Sequence, residues 1–136
     1  LNNSQGNMIR LRSCQPKEAL KSGFRVWNKL NGRNKYRAVR TQYNGRWFAS
    51  KAEARYAAQL DMQRKAVDPR ERVTDVKYQP RFPLPAGITY VADFLVAYAD
   101  GRTEVVDVKG FETKEFKLKK KLFEQTYPEL KLMVVR

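Results

Sequence analysis

The chain of 136 residues contains no histidine and one cysteine, Cys14. Histidine triads, histidine general bases and histidine-ligated metal nucleases are therefore excluded, and a single thiol forms neither an internal disulfide nor a cysteine zinc cluster. Acids are scarce in the first part of the chain. Residues 1–52 carry twelve lysines and arginines against Glu18 alone, whereas residues 53–136 carry sixteen against thirteen acids. Long apolar runs are also missing. None approaches the roughly twenty residues of a membrane-spanning helix, and the opening "LNNSQGNMIRLR" lacks the apolar centre of a signal peptide. A soluble, cytoplasmic protein with no membrane contact is expected.

What is present suits one domain with a real core, at 42% hydrophobic residues. The excess of 28 lysines and arginines over 14 acids leaves +14. A field of that sign gathers polyanions, so nucleic acid is the first partner to expect. Any catalysis must run on carboxylates and lysine.

Residues 1–15 read as a polar arm. The segment 16–32, "PKEALKSGFRVWNKLNG", reads as a short helix with Pro16 in its first turn and Gly32 as its stop. Residues 1–33 thus form a basic N-terminal arm or short helix ahead of a domain over 34–136. Asn44-Gly45 marks a hairpin pairing 35–43 with 46–49. Ser50 followed by Glu53 is a capping-box pattern that opens a helix over 51–66. Strand-like runs follow at 73–83, 88–98 and 103–109, then a lysine-rich amphipathic helix at 113–126 and a last strand, "LKLMVV". The order helix, three strands, helix, strand predicts an α/β fold: a mixed central sheet flanked by helices, with a basic N-terminal hairpin extension.

Two of these strands carry charge where valine would pack better: Asp93 in "ITYVADFLVAYADG", and Asp107 with Lys109 in "TEVVDVKGFETK". Desolvated charge is costly unless partners or a metal receive it. A two-residue turn at Asp100-Gly101 puts Asp93 and Asp107 on opposite faces. A three-residue loop, Ala99-Asp100-Gly101, supplies glycine where a left-handed residue is needed. It sets Tyr98 against Arg102, Asp93 against Asp107 and Val91 against Lys109. Two carboxylates that close repel each other unless a cation joins them. Mg²⁺ or Mn²⁺ suits such a pair, because it takes one or two carboxylates and leaves room for water and phosphate. Lys109 is then placed to orient or activate a water, or to neutralise charge on phosphate.

The arrangement of Glu53 on the first helix, Ala92-Asp93, and then Asp107-Val108-Lys109 resembles the PD-(D/E)XK nuclease superfamily, with alanine where the family's proline stands. More narrowly, "SKAE", "YVADFLV" and "DVKGFETKEFKLKKKLFEQTYPELKLMVV" resemble phage endonuclease I type Holliday-junction resolvases, over roughly residues 50–136. The resemblance implies a restriction-endonuclease-like core and metal-site acids at Glu53, Asp93 and Asp107. It also implies Lys109 as the catalytic lysine and the Val108 carbonyl as a further ligand. The expected activity is divalent-metal-dependent cleavage of branched DNA by a homodimer, in a phage-infected bacterial cell.

Other charges have competing readings. Glu53 is also placed to cap its helix. Glu104, on the other strand face, and Glu112, in the loop, read as solvated. Lys114, Lys117 and Lys121 recur at helical spacing and face either DNA phosphates or solvent, while Phe116 and Phe123 point inward. Arg33, Lys35, Arg37, Arg40 and Arg46 surround the hairpin with almost no compensating acid, which favours DNA contact. Two rivals to a junction resolvase stay open: a non-catalytic basic DNA-binding module that keeps the nuclease fold, and a restriction-type duplex endonuclease.

Overall fold

A computed structural model describes residues 24–26 and 38–136, the first three by their backbone. The chain divides into two compact units, residues 1–58 and 59–136. In the first, β1 (Phe24–Val26), β2 (Thr41–Tyr43) and β3 (Arg46–Phe48) form an antiparallel sheet in that order. Asn44 and Gly45 join β2 to β3 with φ of 48° and 78°, the two successive positive values that a tight primed turn requires. The expected hairpin is thus present, in shorter strands. The expected helix over 16–32 is overturned at Phe24–Val26, which is a strand registered on Tyr43, Gln42 and Thr41. The rest of that segment, with Arg33, Lys35 and Arg37, lies outside the described residues. Helix α1 (Lys51–Gln63) begins in the first unit and ends in the second. Its buried Ala54, Ala57 and Leu60 fall at helical spacing along one stripe.

The second unit is built on a bent hairpin. β4 (Val73–Tyr78) pairs with β7 (Phe94–Tyr98), and β5 (Arg81–Pro83) pairs with β6 (Thr89–Val91). Both pairings follow one register, from Lys77↔Leu95 and Tyr78↔Phe94 to Arg81↔Val91. The two strand-like runs at 73–83 and 88–98 are therefore each broken in the middle. Gln79 takes φ 51°, a left-handed value that no strand tolerates, and Pro80 has no N–H for a ladder. Gln79 N donates to Asp93 O at 2.9 Å and Ala92 N to Pro80 O at 3.2 Å, so the corner stays hydrogen-bonded while the sheet turns.

Beyond the corner, β8 (Thr103–Val108) pairs antiparallel with β7 and parallel with β9 (Lys131–Val135), giving a mixed four-stranded sheet in the order β4-β7-β8-β9. β8 is buried on both faces from Glu104 to Val108. The β8–β9 crossover is α2 (Lys114–Thr126), whose Thr113 hydroxyl accepts the Phe116 N–H at 3.1 Å. Phe116 and Phe123, two turns apart, bury one face of α2 in a cluster with Phe82, Leu84, Tyr90, Ala92, Val105 and Leu132. Phe82, Tyr90 and Tyr127 surround Phe123 with ring centroids 5.0–5.5 Å away. Each fully buried large side chain of this kind contributes about 1.5–3 kcal/mol, so this aromatic cluster fixes α2 and the β5–β6 corner onto the sheet.

Candidate functional site

The loop that fixes the register is the three-residue one. Tyr98 N donates to Arg102 O at 2.9 Å, Gly101 has φ 89°, and the pairs run from Ala97↔Thr103 to Phe94↔Val106. One further step would set Asp93 against Asp107. There the ladder changes: the Val106 carbonyl accepts the Asp93 N–H at 3.1 Å, although Phe94 is the residue facing Val106. Two residues confront one, the pattern of a β-bulge, which redirects the side chain it carries. The Asp93 carboxylate is thereby turned onto β8, where Oδ2 accepts the Val108 N–H at 2.7 Å. The expected opposition of Val91 and Lys109 is not made. The corner diverts Val91 to Arg81, and Lys109 N donates to Val135 O at 2.9 Å.

Asp107 is 1% exposed. Its Oδ2 accepts the Tyr90 hydroxyl at 2.5 Å, and its Oδ1 lies 3.0 Å from Lys109 Nζ. The ion pair is close, but no donor points along a hydrogen-bond direction at Oδ1, which is removed from solvent. Lys109 leans on the Phe116 ring, with Nζ 5.0 Å from its centroid, and its side chain is 34% exposed. The ammonium is thus the lid over a buried carboxylate, open to solvent on its outer side.

Tyr90 is the participant that the sequence reading missed. It is 3% exposed. Burial, then the hydrogen bond to Asp107, then the negative charges of Asp107 and Asp93 hold its pKa well above the ordinary tyrosine value. The hydroxyl stays protonated and can only donate to the carboxylate. Asp93 and Asp107 share a neighbourhood on β8, where the Asp93 carboxylate accepts the N–H of Val108, the residue next to Asp107. Pro80 within a strand-like run was the available signal for a corner, and only the corner brings Tyr90 to Asp107.

Glu53 serves as a helix cap. Its Oε1 accepts from Ser50 Oγ at 3.0 Å and its Oε2 from Ala49 N at 3.2 Å, while its own N–H donates to Ser50 Oγ at 3.2 Å. Glu53 belongs to the first unit; Asp93, Asp107 and Lys109 belong to the second. Among the described residues no three Asp, Glu, Cys or His side chains gather as a metal cluster.

The expectation of solvated charge fails at Glu104, which is 7% exposed and bonded to Arg102 Nη1 at 3.1 Å and to the Tyr98 hydroxyl at 3.3 Å. Over Glu104–Val108, β8 leaves neither face to water. Glu112 is partly buried and meets Arg136 at 3.4 Å. Lys114, Lys117 and Lys121 are exposed and share one face of α2, opposite the buried Phe116 and Phe123. Arg40 and Arg46 are exposed, and Arg40 sits 6.0 Å from the Trp47 ring centroid.

A mixed α/β protein that holds two carboxylates and a lysine at the corner of a bent hairpin is the class that fold and site define. The chain belongs to the family described as "Protein of unknown function (DUF1064)", matched over residues 33–136. No curated protein and no solved structure matches it. No helix among the described residues is long and apolar enough to cross a membrane.

Proposed function

We propose that the chain is a divalent-metal-dependent DNA endonuclease with a restriction-endonuclease-like PD-(D/E)XK core. In this reading it is selective for four-way (Holliday) or other branched junctions and acts as a homodimer in phage-type recombination or DNA processing. The observation that carries this reading is the convergence of Asp93, Asp107 and Lys109 at the hairpin corner, with Asp107 Oδ1 buried beside a cation and lacking an aligned donor. A buried oxygen in that state fits a hard cation, and Lys109 occupies the cation's side of it.

In this reading Asp93 and Asp107 would hold Mg²⁺ or Mn²⁺, and the resemblance adds the Val108 carbonyl as a ligand. A bound ion would supply Lewis acidity toward the scissile phosphate and toward water. Lys109, solvent-facing and held by Phe116, turns its ammonium from Asp107 to the phosphate and stabilises charge developing there. The exposed lysines of α2 and the arginines around the β2–β3 hairpin grip backbone phosphates, which orients DNA without reading bases. Two coordinated cuts across a junction call for two active sites, and a two-fold dimer supplies them.

The test is a labelled four-way junction and a matched linear duplex incubated with Mg²⁺, Mn²⁺ or EDTA, alongside Asp107→Asn. Paired, metal-dependent nicks in the junction alone, lost in the variant, are expected. Tight binding without cutting in any metal would convert the protein to a DNA-binding module. Equal cleavage of both substrates would leave a nuclease of the duplex-cutting kind.

A further inference from the structure

The two oxygens of Asp107 have been given different surroundings. Oδ2 takes a 2.5 Å hydrogen bond from a tyrosine whose ring is locked among Phe82, Phe116 and Phe123, at centroid distances of 6.5, 6.4 and 5.5 Å. Oδ1 has only an unaligned ammonium. A tyrosine ring fixed on three sides cannot follow a rotating carboxylate. The hydroxyl therefore holds the plane of Asp107 as well as occupying one of its oxygens. Phe116 also supports the Lys109 ammonium from its other neighbourhood, so one helix residue keeps donor and cation on opposite oxygens.

We propose that Tyr90 is a positioning residue that reserves Oδ1 of Asp107 as a single-oxygen cation ligand by holding Oδ2. This rests on the metal-dependent reading above. Without the hydroxyl, Oδ2 is a buried acceptor with no donor, and the carboxylate can turn to offer both oxygens to the ion. An outer-shell partner of this kind changes metal affinity by about 10- to 100-fold.

The experiment is Mn²⁺ binding followed by electron paramagnetic resonance on the full chain, for wild type, Tyr90→Phe and Asp107→Asn, without DNA. Infrared difference spectra of the same samples, with and without Mn²⁺, read the separation of the two carboxylate stretches, which is wide for one-oxygen and narrow for two-oxygen ligation. Expected are a wide separation in wild type, a narrowed one in Tyr90→Phe, and Mn²⁺ affinity altered by about 10- to 100-fold in that variant. A purely structural tyrosine would leave the separation unchanged. Wild type that binds no Mn²⁺, or binds it as well with Asp107→Asn, overturns the metal reading and this inference together. Wild type that binds through Asp107 with a narrow separation overturns the inference alone, and needs no folded variant. So does Tyr90→Phe with the separation unchanged, whatever its affinity.

Discussion

The β7–β8 hairpin carries at its two ends two clusters of one plan, a tyrosine, a cation and a carboxylate. At the tip, Tyr98 and Arg102 hold Glu104; at the corner, Tyr90 and Lys109 hold Asp107. Each is a tyrosine hydroxyl on one oxygen and a cation on the other of a buried carboxylate. The tip is complete. Arg102 donates to Glu104 at 3.1 Å and to Arg70 O at 2.6 Å, reaches Asp100 at 3.6 Å, and stacks 4.4 Å from the Tyr98 ring centroid. A planar guanidinium directs several donors at once, whereas an ammonium is a point charge on a flexible stem. The corner, with its lysine and unaligned Oδ1, is the unfinished version. A tyrosine, a cation and a carboxylate make a rivet where arginine supplies the fork, and leave one carboxylate oxygen without an aligned donor where lysine stands instead.

Exchanging one atom in each cluster breaks the comparison hardest. Asp107→Asn is expected to lower junction cleavage by at least about a hundredfold, the scale of losing one preorganised charge at a reacting phosphate. Glu104→Gln, the equivalent change at the tip, should cleave at the wild-type rate and lose about 1–3 kcal/mol of stability, since the ion pair with Arg102 becomes a hydrogen bond to a neutral amide. Cleavage rates and denaturant midpoints on both variants decide it. Equal losses of activity would make the corner one more structural rivet.

The clusters also differ in how firmly they hold their tyrosines, and pH reads this out. Both pKa values are raised, Tyr98 by burial and then by the charge of Glu104, and Tyr90 by burial and then by Asp107. The unfolded chain therefore loses these protons first, near the ordinary value of about 10. The stability they contribute is fully present below that pH and is lost as pH rises through the folded values. The decline is at most about 1.4 kcal/mol per pH unit for each tyrosine. Tyr98→Phe and Tyr90→Phe should each flatten the alkaline limb of a stability–pH profile, Tyr90→Phe the more. An unchanged limb in both would show that other groups govern alkaline unfolding.

Much of the fold was legible where a local signal decides it. Asn44-Gly45 and the Ser50–Glu53 box did so for the first hairpin and for α1. Ala99-Asp100-Gly101 gave the register that puts Asp93 beside Asp107, because a one-residue slip would move every side chain of β7 to the other face. The failures are non-local. Gln79 has no intrinsic reason to take a left-handed φ; the corner imposes it, and with it the bulge at Asp93 and the reach of Tyr90. Glu104 looked solvated because alternation assumes one wet face, and β8 has none. Pro16 and Gly32 bracketed Phe24–Val26 as part of a helix, and pairing with β2 overrode those signals. Of the candidate site, Asp93, Asp107 and Lys109 come together in the second unit, while the Glu53 carboxylate bonds to Ser50 and Ala49.

Since one loop sets the register for both clusters, its glycine offers the finest test of how they are coupled. Gly101 has φ 89°, and a Cβ placed there would meet nothing within 4 Å. The demand at this position is therefore conformational and not steric. Asparagine enters left-handed backbone more readily than other side-chain-bearing residues, so Gly101→Asn should cost less than about 2 kcal/mol and preserve the Tyr98–Arg102 closure. Cleavage should be unchanged, and the alkaline decline should keep its slope, because Tyr98 and Tyr90 stay on their carboxylates. A variant that kept the tip and lost the corner would mean that the bulge at Asp93, and not the loop, is what aligns the Asp107 end of the hairpin.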